Sequence, residues 1–310
     1  MQQKKGIFLI LFACLSFCLQ IRGQSTDFLI QEFITAWLQG SVSSGLAGQI
    51  LKGDDNEVLS LLQKYQSDKN DRAREAAWYL TAAVGRRTVV PDIRKQVLML
   101  LLQGSRDSDP LVARKNLAQL KNFDRSLFDA QAKKVLEDIF RTTANPSEEL
   151  IKITGFAGCV GLIPDFKARI REIREKEAER KWAYYLALAR MGDGEAIRYC
   201  MKRIQQLPVN DETIEDVFPD LIYIRRKEAF DYLLEVALDR PSGCSSSNPD
   251  NEQAVSCTAK ILEMIAPYLA GFPVQDTAAF SSLSSEETIA LVRKWLKEKY
   301  NADAILQDLY

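Results

Sequence analysis

The sequence predicts an all-α protein, built as a right-handed superhelical stack of helix pairs. Apolar residues recur at helical spacing in segment after segment from Asp27 onward, and alternating strand patterns are almost absent. The stretch "ALARMGDGEAIRYC" (187–200) writes the end of one helix, a turn on Gly192-Asp193-Gly194 and the start of another. Further along, "DLIYIRRKEAFDYL" (220–233) sets Leu221, Glu228, Ala229 and Tyr232 opposite Leu188, Glu195, Ala196 and Tyr199. A helix pair that cannot bury its apolar face alone completes its core against the next pair, so a corner written twice points to stacking.

Taken in order, residues 1–23 read as a signal peptide. Lys4 and Lys5 precede an apolar run from Ile7 to about Leu19, and a polar junction follows at Ile21-Arg22-Gly23-Gln24. The run is shorter than the roughly 20 residues of a spanning helix. The chain is therefore expected to be exported, periplasmic or secreted, with no transmembrane helix once the signal is removed. Lipid attachment at Cys14 is the lesser alternative, because Phe12 is bulky for such a site and the stretch after Cys14 stays apolar. Residues 24–69 read as N-terminal capping helices, with Phe28, Ile30, Phe33, Ile34 and Trp37 at helical spacing. From 70 to 240 come the repeats: "DRAREAAWYLTAAVG", "DPLVARKNLAQLKNF" and "EAERKWAYYLALARMG" each set an acidic or proline-led start, a basic residue, then a small and apolar helix. Pro110 after Asp109 and Pro146 after Asn145 mark helix starts. Residues 241–310 read as divergent helices separated by two polar loops, 239–253 and 271–287. The pattern predicts about fourteen helices of roughly 10 to 18 residues.

Arg74, Arg114, Lys152 and Lys181 follow one another at a drifting period, the last interval shorter than the first two. Together with "ALARMGDGEAI", it resembles the HEAT-repeat family over roughly 70–240. The resemblance implies an armadillo-like α-solenoid whose surface binds another protein or peptide without catalysis or cofactor. A generic helical bundle is the alternative architecture.

The chemistry is bounded by a zero: the chain contains no histidine. Ser-His-Asp, Cys-His and HExxH arrangements are excluded within it. It also has no CxxC, SxxK or GxxxxGK[ST] motif. "GFAGCVG" (155–161) sits in a helical context and reads as close helix packing. Asp193, Glu195, Asp211, Glu212, Glu215 and Asp216 could form an acid/base pair acting on a glycan, the runner-up function, but helix starts and turns account for them more simply. Removal of residues 1–23 takes away Lys4, Lys5 and Arg22, leaving 38 basic against 42 acidic residues, a balance that favours no nucleic acid. The run 165–181 mixes seven bases with five acids and reads as a solvated face. Arg86, Arg87, Arg225, Arg226 and Lys227 fall near helix–helix turns and could line one interaction edge, with helical-repeat nucleic-acid binding a remote alternative. "WYL" and "WAYYL" place one aromatic inward and a neighbour outward. Cys244 and Cys257 bracket a polar loop and are expected to form a disulfide in an oxidising compartment, whereas Cys200 falls on an apolar face as a free thiol.

Overall fold

The computed structural model describes residues 25–41, 44–174, 177–239, 243–244, 255–273 and 285–310. The signal-like segment with Cys14, and most of both polar loops, lie outside them. The described residues form fifteen α-helices. Their only strands are a two-residue ladder pairing Gly243 with Ser256 and Cys244 with Val255. None of the described helices is long and apolar enough to cross a membrane. Several are shorter than the periodicity suggests, because prolines and left-handed residues cut them; Phe218–Ile224, for example, has 7 residues.

Residues up to Asn116 and residues from Leu117 form two packing units, whereas the sequence pattern suggests divisions at 69/70 and 240/241. The first unit holds α1 (Thr26–Leu38), α2 (Ser44–Ile50), α3 (Asp55–Gln66), α4 (Asp71–Arg87), α5 (Pro91–Gly104) and the start of α6 (Pro110–Gln119). Side-chain oxygens open four of them: Ser25 accepts from Phe28 N, Asp54 from Glu57 N, Asn70 from Arg72 N and Asp109 from Val112 N. Helix α4 is the centre of this unit. Its small residues Ala73, Ala76, Ala77 and Ala82 are buried, which lets α1, α3 and α5 pack closely around it. Trp78 is buried while Tyr79 is 41% exposed. Arg74 of α4 grips Asp107 with both ends of its guanidinium, at 2.8 and 2.7 Å.

The second unit continues with α7 (Ala130–Thr142), α8 (Glu148–Ala157), α9 (Ile163–Glu172), α10 (Ala178–Met191), α11 (Gly194–Ile204), α12 (Phe218–Ile224), α13 (Lys227–Asp239), α14 (Cys257–Ile265) and α15 (Ser285–Glu298). Here every second helix meets: α8 packs on α10 and α10 on α12, while α11 and α13 pack on their own partners α10 and α12. Gly155 permits the closest approach, since a Cβ there would lie 2.7 Å from Ala187 Cα. Of the glycines in "GFAGCVG", Gly155 makes the expected helix contact, while Gly158 ends α8 with a positive φ. A disulfide joins Cys244 to Cys257 with Cα atoms 5.1 Å apart, and Cys159 and Cys200 are buried free thiols. Burial pushes both thiols up to about 12.

Candidate functional site

Three helices of the second unit end in the left-handed region, at nearly equal steps along the chain: α8 at Gly158 (φ 74°), α10 at Gly192 (φ 97°) and α12 at Arg225 (φ 53°). At the glycines the backbone closes the helix by itself. Cys159 N donates to Thr154 O and Asp193 N to Leu188 O, each at 3.0 Å. At Arg225 the backbone supplies only a 3.3 Å bond from its own N–H to Ile222 O, and its guanidinium Nη1 donates to the same carbonyl. Arg226 reaches back to the preceding corner, donating from Nη2 to Arg190 O at 2.8 Å and from Nε to Ala189 O at 3.3 Å. Cations suit these places, because helix C-termini present unpaired carbonyls and a partial negative charge.

Arg190, in the last turn of α10, is fully buried. Its Nη1 donates to Tyr223 O at 2.7 Å, and its Nη2 to Gln307 O at 2.8 Å and Leu309 O at 3.1 Å. The rings of Phe156 and Tyr223 lie 5.5 and 5.7 Å from the guanidinium carbon. Burial, and then the neighbouring Arg225, press the pKa of Arg190 down to about 9; burial alone presses Arg225, which stacks on Tyr268 at 3.6 Å, down to about 10. Arg125 and Arg226 add to the same positive field at Arg190. None of these four arginines is paired with an Asp or Glu side chain among the described residues. Buried charges are ordinarily paired, and the Nε atoms of Arg190 and Arg225 are buried without any partner.

What occupies this edge is the segment 301–310, a 3-10 turn at Ala302–Ala304 followed by non-helical chain from Ile305. Leu306 N donates to Tyr268 O at 2.9 Å, Ala270 N to Ala304 O at 2.8 Å and Arg125 N to Asp308 O at 2.9 Å. Arg190 holds the carbonyls of Gln307 and Leu309, and Arg225 Nη2 that of Tyr310 at 3.2 Å. Two side chains of the segment anchor its register: Gln307 Nε2 donates to Arg225 O at 3.0 Å, and Asp308 Oδ1 accepts from Ser126 N at 3.1 Å. The Tyr310 ring sits edge-on to Phe156 and Tyr223, centroids 5.3 and 5.6 Å away.

Beside Tyr310 lies a cavity of about 360 Å³, lined among others by Lys152, Asp220, Tyr223, Arg225 and Tyr268. Both oxygens of Asp220 are held, one by Lys152 Nζ at 2.7 Å and the other by Trp182 Nε1 at 2.6 Å. Tyr223 donates its hydroxyl to Lys152 O, and burial raises its pKa well above the usual value. The chemistry of this edge is hydrogen-bond donation and aromatic packing toward a peptide backbone.

The basic edge expected from sequence needs correction at Arg225: it is 1% exposed, turned inward because Tyr310 O, Ile222 O and the Tyr268 ring accept its cation. Arg226 is half-buried. Lys227 is exposed and pairs with Asp231 at 2.8 Å. In the first unit Arg86 and Arg87 are exposed, and Arg87 pairs with Asp55. The acids considered for catalysis meet in two pairs, each on a lysine: Asp193 and Glu195 on Lys167, Asp211 and Glu215 on Lys260. Asp193 caps α11 and pairs with Lys167 at 2.6 Å, while Asp211 and Glu215 hold Lys260 at 2.5 and 2.9 Å. Among the described residues no cluster of three or more metal-ligating side chains occurs. Sequence reasoning missed Arg125, Arg190 and the segment 301–310. Arg190 did leave a signal, for it stands on the apolar stripe of Ala183, Leu186 and Ala187 at helical spacing. No family model, curated protein or solved structure matches the chain.

Proposed function

We propose that this chain is an exported, non-catalytic binding protein whose stacked, HEAT-like helix pairs offer the ends of α8, α10 and α12 as a docking edge for another protein. The observation that carries this reading is the grip of Arg190 and Arg225 on the backbone oxygens of a non-helical segment. Guanidinium-to-carbonyl bonds read a backbone and tolerate many side chains, which suits peptide recognition. Contact between alternate helices, and left-handed ends recurring at Gly158, Gly192 and Arg225, support the solenoid. Export is supported by the signal-like start, and the Cys244–Cys257 disulfide fits an oxidising compartment. Intact mass of the exported protein should then correspond to a chain beginning within a few residues of Gln24.

Site-specific photo-crosslinking in the native envelope tests the binding reading. A crosslinker at Leu309, 38% exposed beside the arginines, should capture a protein, and Arg226→Glu should abolish the adduct. A crosslinker at the exposed Lys134 of α7 serves as control. No adduct from any position would reject the reading.

A further inference from the structure

Resting on that reading, we propose that residues 301–310 are a displaceable occupant of the groove, and that the partner docks by inserting a non-helical, acidic segment carrying an aromatic residue in their place. The present occupant displays the chemistry the groove accepts. It makes one antiparallel bridge, Ile305 with Leu269, offers backbone oxygens to two guanidiniums and fits one aromatic ring between Phe156 and Tyr223. Five of its carbonyls, those of Ala304, Gln307, Asp308, Leu309 and Tyr310, are used, against two of its side-chain polar groups. A foreign segment can reproduce nearly all of this.

Charge points to the partner's character. Arg125, Arg190, Arg225 and Arg226 converge with no Asp or Glu side chain paired to them among the described residues. The occupant itself carries Asp303 and Asp308, and only Asp308 bonds across to the helices, at the Ser126 amide. An acidic segment is steered to such an edge, and one that brings a carboxylate to Arg190 replaces the neutral carbonyls of Gln307 and Leu309 with a charged acceptor, the stronger bond. The cavity of about 360 Å³ beside Arg225 and Lys152 leaves room for that extra group.

The experiment uses the full chain and, as probe, a fluorescein-labelled peptide of residues 301–310, NADAILQDLY. The built-in segment competes with it, so the apparent affinity is reduced by the fraction of time the groove is free. Tyr310→Ala, which removes both edge-on ring contacts, should tighten peptide binding by about tenfold. Asp308→Ala, which loosens the segment at the Ser126 amide, should act in the same direction, so the test survives if one variant fails to fold. A peptide with both aspartates replaced by asparagine should bind more weakly, the difference shrinking at high salt. Hydrogen exchange at the Leu306 amide should lose protection when the peptide saturates the chain. Equal affinity in wild-type and both variants, or binding that leaves the Leu306 amide protected, overturns the displaceable segment. Equal binding of the neutral peptide overturns the acidic preference. These measurements need no cellular partner, so they can fail while crosslinking succeeds at another surface, and the reverse.

Discussion

Gly192 and Arg225 hold the same place in two successive corners, and in both the backbone turns left-handed. A glycine makes that turn without steric cost, and the corner at Gly192 is closed by its own amides. For an arginine the same turn costs roughly 1–2 kcal/mol, because its Cβ crowds the carbonyl. The corner at Arg225 offsets that cost with its guanidinium, bonding Ile222 O in the turn and Tyr310 O far along the chain. The register also sets Asp193 against Arg226. Asp193 caps the next helix locally, whereas Arg226 turns back to the previous corner. The glycine corner is thus self-contained. The arginine corner depends on distant residues, and a repeat position has become a long-range tie.

The largest test removes the residue joining both corners. Arg190→Ala should cost about 3 to 5 kcal/mol, because it strands the buried carbonyls of Tyr223 and Gln307. Urea unfolding measures it, and a loss below about 1 kcal/mol would mean the guanidinium contributes little net stability. Arg225→Gly relieves the backbone yet loses two acceptor bonds and the stack on Tyr268, for a net loss of about 2 kcal/mol. Stabilisation by that change would show the arginine corner to be plain strain. Gly192→Ala should cost about 1 to 2 kcal/mol, since it forces a Cβ into positive φ and to 2.9 Å from Arg226 Nη2. The smallest effect belongs to Asp193→Ala, about 1 kcal/mol at neutral pH. Burial acts to raise the Asp193 pKa, but the Lys167 ammonium and the Ala196 amide outweigh it and hold the carboxyl below its usual value. Its stabilisation is therefore complete above an unfolded pKa of about 3.9 and is lost as pH falls through the lower folded value. Wild type and variant should converge in stability on acidification below that range.

Much of the fold is legible in local chemistry. Asp54, Asp109 and Asp193 sit where a cap is needed and accept from the amides of the first turn. The small residues of α4 and the Gly155 contact follow from composition alone. The alignment of Arg225 with Gly192 even contains the left-handed turn, because equivalent corners need equivalent backbones. Two things escape. Arg190 reads as a helix-end cation, and its acceptors Gln307 and Leu309 lie 117 and 119 residues away, beyond any periodic signal. "NADAILQDLY" has neither helical nor alternating spacing, because its contacts are set by residues far along the chain: Tyr268, Arg125, Arg190 and Arg225. Arg225 looks like a surface charge for the same reason: what buries it is that segment.

The two free cysteines among the described residues give the second unit its own clock for unfolding. Burial pushes the pKa of both thiols far above the usual value, so they stay protonated at neutral pH, and the thiolate is the form that attacks an alkylating reagent or a disulfide. Cys159 and Cys200 therefore stay silent while their helices are packed, and the Cys244–Cys257 bond is shielded from exchange with them. Once the second unit opens, both thiols return to ordinary reactivity. The rate of their labelling in unreduced protein then reports how often the core around α8, α10 and α11 comes apart.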